Sequence, residues 1–229
     1  MKLEPEIIAH IRKAVKTAHM LGIEDVCIDD GLVRAMHADR SVLIIAPNDI
    51  DLPFDSMGIT RIPQFLSRLD IVSNSDKFTI DFSATDDVVK SVVMKCTGTK
   101  IDFKCGDPNK IIAPRKNNDV VSYGIAITDE SIELLKKSEA AMKADEITII
   151  SNDDGVSFEL NDVNNDIFRH ELQIKAEILS GDSLAFAFRY PAKLLISLLR
   201  NNVNYFEVAE RGSLKLQING FDIFVFPKV

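Results

Sequence analysis

No stretch of this chain approaches the roughly 20 consecutive apolar residues that a membrane span requires. The first five residues also lack a basic stretch leading into an apolar run. The sequence therefore predicts a soluble, cytoplasmic protein that is not exported and has no membrane partner. Cysteine is scarce and odd in number: Cys27, Cys96 and Cys105 have neither Cys-x-x-Cys spacing nor neighbouring histidines, which argues against structural zinc and for reduced thiols. His10, His19, His37 and His170 show no ligand spacing and no pattern for nucleophilic catalysis, and neither Gly-x-Gly-x-x-Gly nor a Walker loop occurs. The acidic pairs Asp29-Asp30, Asp49 with Asp51, Asp86-Asp87 and Asp153-Asp154 fall at predicted turns and strand ends, where aspartate bonds its own backbone. No catalytic residue, cofactor or metal is expected, and the chain reads as a non-enzyme.

Positive charge is in deficit overall, with 27 Lys and Arg against 35 Asp and Glu and a net charge of −8. Its distribution is uneven. Apolar periodicity predicts helices over residues 5–20, 59–69, 129–143 and 191–201. These segments hold ten basic residues, Arg12, Lys13, Lys16, Arg61, Arg68, Lys136, Lys137, Lys143, Lys193 and Arg200, against five acidic ones, a balance of +5. Everything outside them then carries −13 of the −8 total. An acidic protein that gathers its bases on a few helices can offer one surface to a polyanion while the rest repels it.

The 229 residues, 46% of them hydrophobic, suit two domains of ordinary size, because the pattern recurs. In the first half, Pro5 suits a helix first turn, and strands are expected over residues 24–29, 32–37 and 41–46 with a hairpin at Asp30-Gly31. The second helix follows, then strands over 77–83, 88–95 and 99–104. Residues 106–121, with Gly106, Pro108, Pro114 and Asn117-Asn118, lack periodicity and read as an interdomain linker. The second half repeats the order: a strand over 122–128, a helix capped by Thr128 or Asp129, a hairpin at Asp154-Gly155, strands over 167–175 and 183–188, the last helix, and strands over 203–209, 213–219 and 221–226. The two Asp-Gly turns lie 124 residues apart, so the expected domains are 1–105 and 122–229, two copies of one α/β unit too long for a solenoid repeat.

Three local stretches carry a resemblance: Ala35-Met36-His37-Ala38-Asp39-Arg40-Ser41-Val42-Leu43, Gly106-Asp107-Pro108-Asn109-Lys110-Ile111-Ile112-Ala113-Pro114, and Phe226-Pro227-Lys228. Together with the duplicated order of elements, they resemble the replicative DNA sliding clamps, the family of proliferating cell nuclear antigen and the tailed-phage polymerase clamps. The likeness covers nearly the whole chain and is stronger to the phage type. It implies an α+β DNA-clamp (processivity) fold, two similar domains each with two helices packed on antiparallel sheets, assembling as a ring.

The same resemblance implies a homotrimer whose basic helical faces line a hole around double-stranded DNA, without sequence preference, and which tethers a replicative DNA polymerase after loading by an ATP-dependent clamp loader. If phage-encoded, it would act in the host cytoplasm. It further implies a groove for partner peptides bordered by Met36, Ile111, Ile112, Pro114 and Pro227. Subunits would meet through residues 99–104 and 167–175, with Ile101, Phe103, Phe168, His170 and Leu172 at the contact. Two other readings of the residues stay open: a two-domain α/β enzyme of unrecognised type, and a monomeric peptide-binding adaptor.

Overall fold

The computed structural model describes residues 2–29, 31–47, 50–75, 77–161, 166–172, 176–180, 185–201 and 203–228. The chain divides into two compact units, one of residues 1–116 with 219–221 and one of residues 117–218 with 222–229.

In the first unit, helix α1 (Pro5–Met20) starts at the proline that the sequence singles out and buries Ile7, Ile11, Ala14, Val15 and Ala18. Strands β1 (Val26–Asp29), β2 (Leu32–Met36) and β3 (Val42–Pro47) then run as antiparallel neighbours. Asp30 of the expected hairpin turn lies outside the described residues. A strand that the sequence does not announce comes next. β4 (Ser56–Ile59) pairs with β1 and, in parallel, with β6 (Val88–Cys96). The expected helix start at Ile59 is therefore corrected: Ile59 ends a strand, Arg61 turns the chain at φ 56°, and α2 runs from Ile62 to Ser73 with Pro63 in its first turn. Four residues containing a glycine are too short to show alternation, which is why β4 is invisible to periodicity. β5 (Phe78–Thr85), β6 and β7 (Thr99–Lys104) complete the unit, in the order β3-β2-β1-β4-β6-β5 with β7 also on β6.

The second unit repeats this plan. β8 (Val121–Ala126) leads into α3 (Asp129–Met142), whose cap is Thr128, its hydroxyl accepting from the Ser131 amide at 3.2 Å. β9 (Glu146–Asn152), β10 (Gly155–Asn161) and β11 (Ile167–Leu172) form an antiparallel run, with β13 (Phe186–Pro191) on the far side of β9. The expected strands over 167–175 and 183–188 reach residues 173–175 and 183–184, which lie outside the described set. A two-residue strand, β12 (Glu177–Ile178), pairs with β8. α4 is shorter than expected, Ala192–Leu199, because Pro191 belongs to β13. β14 (Tyr205–Ala209), β15 (Leu214–Ile218) and β16 (Phe221–Val225) follow.

Each unit sets a helix pair against its strands. α2 buries Phe65, Leu66 and Leu69, and Phe65 meets Phe103 of β7 edge to face at 5.0 Å. α4 buries Leu195, Ile196, Leu198 and Leu199, and α3 buries Ile132 and Leu135. Each such side chain removed from water contributes about 1.5–3 kcal/mol. Tyr190 is fully buried, donates to the Gly212 carbonyl at 2.7 Å, and has its phenol pushed up by burial. At Gly58, an added Cβ would lie 2.8 Å from the Gly106 carbonyl oxygen, across the bridge that seats the end of β7 beside β4. Gly58→Ala is expected to lower stability by about 1–3 kcal/mol in thermal melting.

Candidate nucleic-acid interface and partner groove

The wet faces of the helices follow from their burial. On α1 the exposed stripe is Glu6, Ala9, Lys13, Lys16 and Met20, spaced as one helical face, with the single acid in the first turn. On α4 it is Lys193, Ser197 and, at the carboxy-terminal cap, Arg200, with no acid among them. Lys13, Lys16, Lys193 and Arg200 make no ion pair among the described residues. The other two helices differ. On α2 the exposed face is Gln64, Ser67 and Ile71, all uncharged, and extension of this helix to Ser73 brings in Asp70, so Arg68 and Asp70 balance. The expected span, 59–69, stops short of this acid. Asp70 pairs with Arg12 of α1 and binds the two helices together.

The remaining expected bases have mixed surroundings. Arg61, exposed at the start of α2, donates to the Lys104 carbonyl at 2.9 Å and lies 4.9 Å over the Phe103 ring. Arg68 covers the same ring at 5.5 Å. On α3, Lys136 pairs with Glu133 at 3.5 Å, Lys137 shares the exposed face with Glu130 and Glu133, and Lys143 caps the helix at φ 54°. The bases that the sequence groups as one set thus divide into two stripes without ion pairs among the described residues, Lys13 with Lys16 on α1, where Lys13 lies 5.4 Å over the Phe221 ring, and Lys193 with Arg200 on α4, and a group held by acids, carbonyls or the Phe103 ring.

Of the expected groove residues, Met36, Ile111 and Ile112 line one cavity of about 290 Å³ in the first unit, together with Glu24, Asp25, His37, Ala38, Arg40 and Lys110. Ile111 is buried and Ile112 is 75% exposed. Pro114 is exposed and not in this lining; Pro227 is half-buried in the second unit. The charged rim was not legible from the sequence. Burial first, and the Glu24 carboxylate second, push the Asp25 carboxyl up.

The linker is held to one unit and then the other. Asp107 accepts from the Asn109 amide at 3.0 Å in a single 3-10 turn, Pro108–Lys110. Asp29, 5% exposed, accepts from Arg34 Nε at 2.9 Å and from Arg115 Nη2 at 3.0 Å, while Arg34 Nη1 donates to the Ala113 carbonyl at 2.6 Å. Cys27 donates to the same carboxylate at 2.9 Å, and burial foremost raises its thiol pKa to about 12. From Asn117 onward the bonds go to the second unit, where Asp119 accepts from the Ser213 hydroxyl at 2.8 Å and from the Arg211 amide at 3.2 Å.

The strand edges complete the geometry. Leu3 donates to the Ile80 carbonyl on β5 at 2.7 Å, and Lys228 donates to the Arg189 carbonyl on β13 at 2.8 Å, so each terminus covers an edge of its own unit. β7 and β11 each have one strand neighbour among the described residues, β6 and β10. Of the residues expected at a subunit contact, Phe103 and Leu172 are buried, Ile101 and Phe168 are half-buried, and His170 is half-buried and 3.0 Å from the Ser131 hydroxyl on α3.

No helix among the described residues is long and apolar enough to cross a membrane, and no group of three or more His, Cys, Asp or Glu among them could hold a metal ion.

Duplicated helix pairs on antiparallel strands, joined by a stapled linker, make up the α+β fold of the sliding clamps. Solved structures of PCNA share it. The chain superposes on A. fulgidus PCNA, solved with the C-terminal region of FEN-1 bound, with a TM-score of 0.62 and 13% identity, covering 96% of this chain and 95% of that one. Against Proliferating Cellular Nuclear Antigen from Entamoeba histolytica the TM-score is 0.60 at 13% identity, covering 97% and 96%. No protein-family model and no curated protein sequence matches the chain.

Replacing Asp29 with alanine leaves Arg34 buried without its carboxylate, and stability is expected to fall by about 3 kcal/mol. The same variant frees the linker, so trypsin should cut after Arg115 or Lys116 faster than in the parent chain. Unchanged melting and digestion would contradict that role.

Proposed function

We propose that this protein is a DNA polymerase processivity factor, a sliding clamp that encircles double-stranded DNA and tethers a replicative polymerase. The observation that carries the reading is the pair of net basic stripes, Lys13 with Lys16 against Glu6 on α1 and Lys193 with Arg200 on α4, on a sliding-clamp fold in a chain of net charge −8. Contacts of these side chains would go to phosphates, be indifferent to sequence and weaken with salt, as sliding demands. Lys137 and Lys143 join them more weakly, because Glu130 and Glu133 share their helix face.

The clamp is a head-to-tail homotrimer of two-domain chains, residues 1–105 and 122–229 joined by 106–121, in which β7 of one copy extends the sheet of the next at β11. The ring works topologically: it keeps the tethered polymerase at high effective concentration near the primer end and does no chemistry of its own. It takes no cofactor, needs a separate ATP-driven loader, and works in the cytoplasm, that of the host if a phage encodes it. The cavity at Met36, Ile111 and Ile112 in the first unit accepts a short hydrophobic segment from polymerase or loader. Methionine suits a site with several clients because it repacks readily. The complex of A. fulgidus PCNA with the C-terminal region of FEN-1 supports this use of the fold.

Four reversals together, Lys13→Glu, Lys16→Glu, Lys193→Glu and Arg200→Glu, are expected to shorten primer-extension products about tenfold or more at moderate salt, with circular dichroism and melting unchanged. Full processivity in that variant would refute DNA contact by these stripes. Loss of some other activity with processivity intact would favour an enzyme.

A further inference from the structure

We propose that copies of this chain join in a single strand register, β7 antiparallel to β11 of the next copy, with Asp102 opposite Arg169 and Lys100 opposite Glu171. The inference rests on the head-to-tail assembly proposed above and specifies how its two edges meet.

Side-chain alternation gives the first restriction. On β7, Ile101 and Phe103 turn inward, while Lys100, Asp102 and Lys104 are exposed; on β11, Phe168, His170 and Leu172 turn inward, while Ile167, Arg169 and Glu171 are exposed. A sheet continuous across the contact keeps its apolar face on one side, so even-numbered residues of β7 must sit opposite odd-numbered residues of β11.

Backbone direction gives the same parity independently. The Lys104 carbonyl accepts from Arg61, so it points away from β6, and at period two the N–H and C=O groups of Lys100 and Asp102 face the same open side. In the second unit, Asn152 and Gly155 close a two-residue hairpin and are its hydrogen-bonded pair. Val156, Phe158 and Leu160 therefore bond toward β11, through Leu172, His170 and Phe168. Ile167, Arg169 and Glu171 are left to bond outward. Outward groups pair with each other in an antiparallel ladder.

Charge then selects among the registers of that parity. With Asp102 opposite Arg169, Lys100 falls opposite Glu171 and Lys104 opposite Ile167, so both charged pairs attract. A shift of two one way sets Asp102 opposite Ile167 and Lys100 opposite Arg169. The other way sets Asp102 opposite Glu171 and Lys104 opposite Arg169. Each shifted register places like charges side by side, which destabilises a cross-strand pair.

Neighbours within each unit favour the same choice. Lys100 lies opposite Lys95 of β6, and Lys95 is already held by Asp81 at 3.0 Å, so Lys100 lacks an acid on its inner side that Glu171 would supply. Arg169 lies opposite and bonds Glu159 of β10, and Asp102 extends that row to acid, base, acid. The partner is thus a second copy of this chain, and the edges carry a charge code for it.

The test is equilibrium sedimentation with disulfide trapping. Lys100→Glu and Glu171→Lys are each expected to raise the dissociation constant between subunits about tenfold, and the two reversals in one chain to restore it. On mild oxidation with copper phenanthroline, Lys100→Cys with Glu171→Cys should link chains, while Lys100→Cys with Arg169→Cys, and Asp102→Cys with Glu171→Cys, should not. A link in either shifted pair, or a double reversal no better than the singles, overturns the register while wild-type assembly stands. A wild-type chain that sediments at micromolar concentration as a single 25.5 kDa species overturns the assembly itself.

Discussion

Backbone amides and carbonyls on a sheet edge must find partners, and this chain meets that demand unevenly. Its amino terminus covers β5 through Leu3 and its carboxy terminus covers β13 through Lys228. β12 is only two residues long. The six-residue edges of β7 and β11 receive no such cover from the described residues, although each alternates an inward, mostly apolar face with an exposed, charged one. An edge of that kind either aggregates or is occupied by design. Alternating charge on both edges argues for a designed occupant, because it rewards one register and penalises its neighbours. In the proposed assembly two different edges meet, which makes the contact head-to-tail, and head-to-tail contacts close into rings when the rotation suits.

The same economy shows in the treatment of positive charge. Bases near the β7 edge have structural duties: Arg61 caps the Lys104 carbonyl, Arg68 and Arg61 cover Phe103, and Arg12 ties α1 to α2 through Asp70. Arg34 and Arg115 fold the linker onto Asp29. Lys13 and Lys16 on α1 and Lys193 and Arg200 on α4 are among the bases that hold no acid among the described residues, and they lie on the wet faces of their helices. A sliding surface needs this division, since a base that already holds a carboxylate attracts phosphate weakly, while one on an open helical stripe stays mobile and hydrated.

Much of the fold is legible from local chemistry. Pro5 marks the first helix, Thr128 caps the third, and the turn before Gly155 joins two strands where the Asp-Gly pair places it. The order of elements repeated at an offset of 124 residues shows a duplicated α/β unit, and the resemblance carried by three local stretches together with that order points to the clamp fold. What escapes the sequence is settled by contacts between distant residues. β4 pairs on both sides, with β1 and β6, and Arg61, in a left-handed turn at φ 56°, is tied to the Lys104 carbonyl 43 residues away. Asp70, Asp29 and Asp119 look like ordinary surface acids until their partners, 58, 86 and 94 residues away, come into reach. The acidic rim of the groove was missed for the same reason: Glu24 and Asp25 lie far along the chain from Lys110 and Ile112. At the groove, Met36, Ile111 and Ile112 converge, whereas the match that suggested Pro227 is a local one in the other unit.

The central claim is a hollow assembly with the α1 and α4 stripes facing its opening, and averaged electron-microscope images of the purified particle test it most directly. The account predicts a three-fold ring with a central hole wide enough for duplex DNA and its helices on the inner wall. A compact particle without an opening, or a ring whose helices face outward, would contradict it.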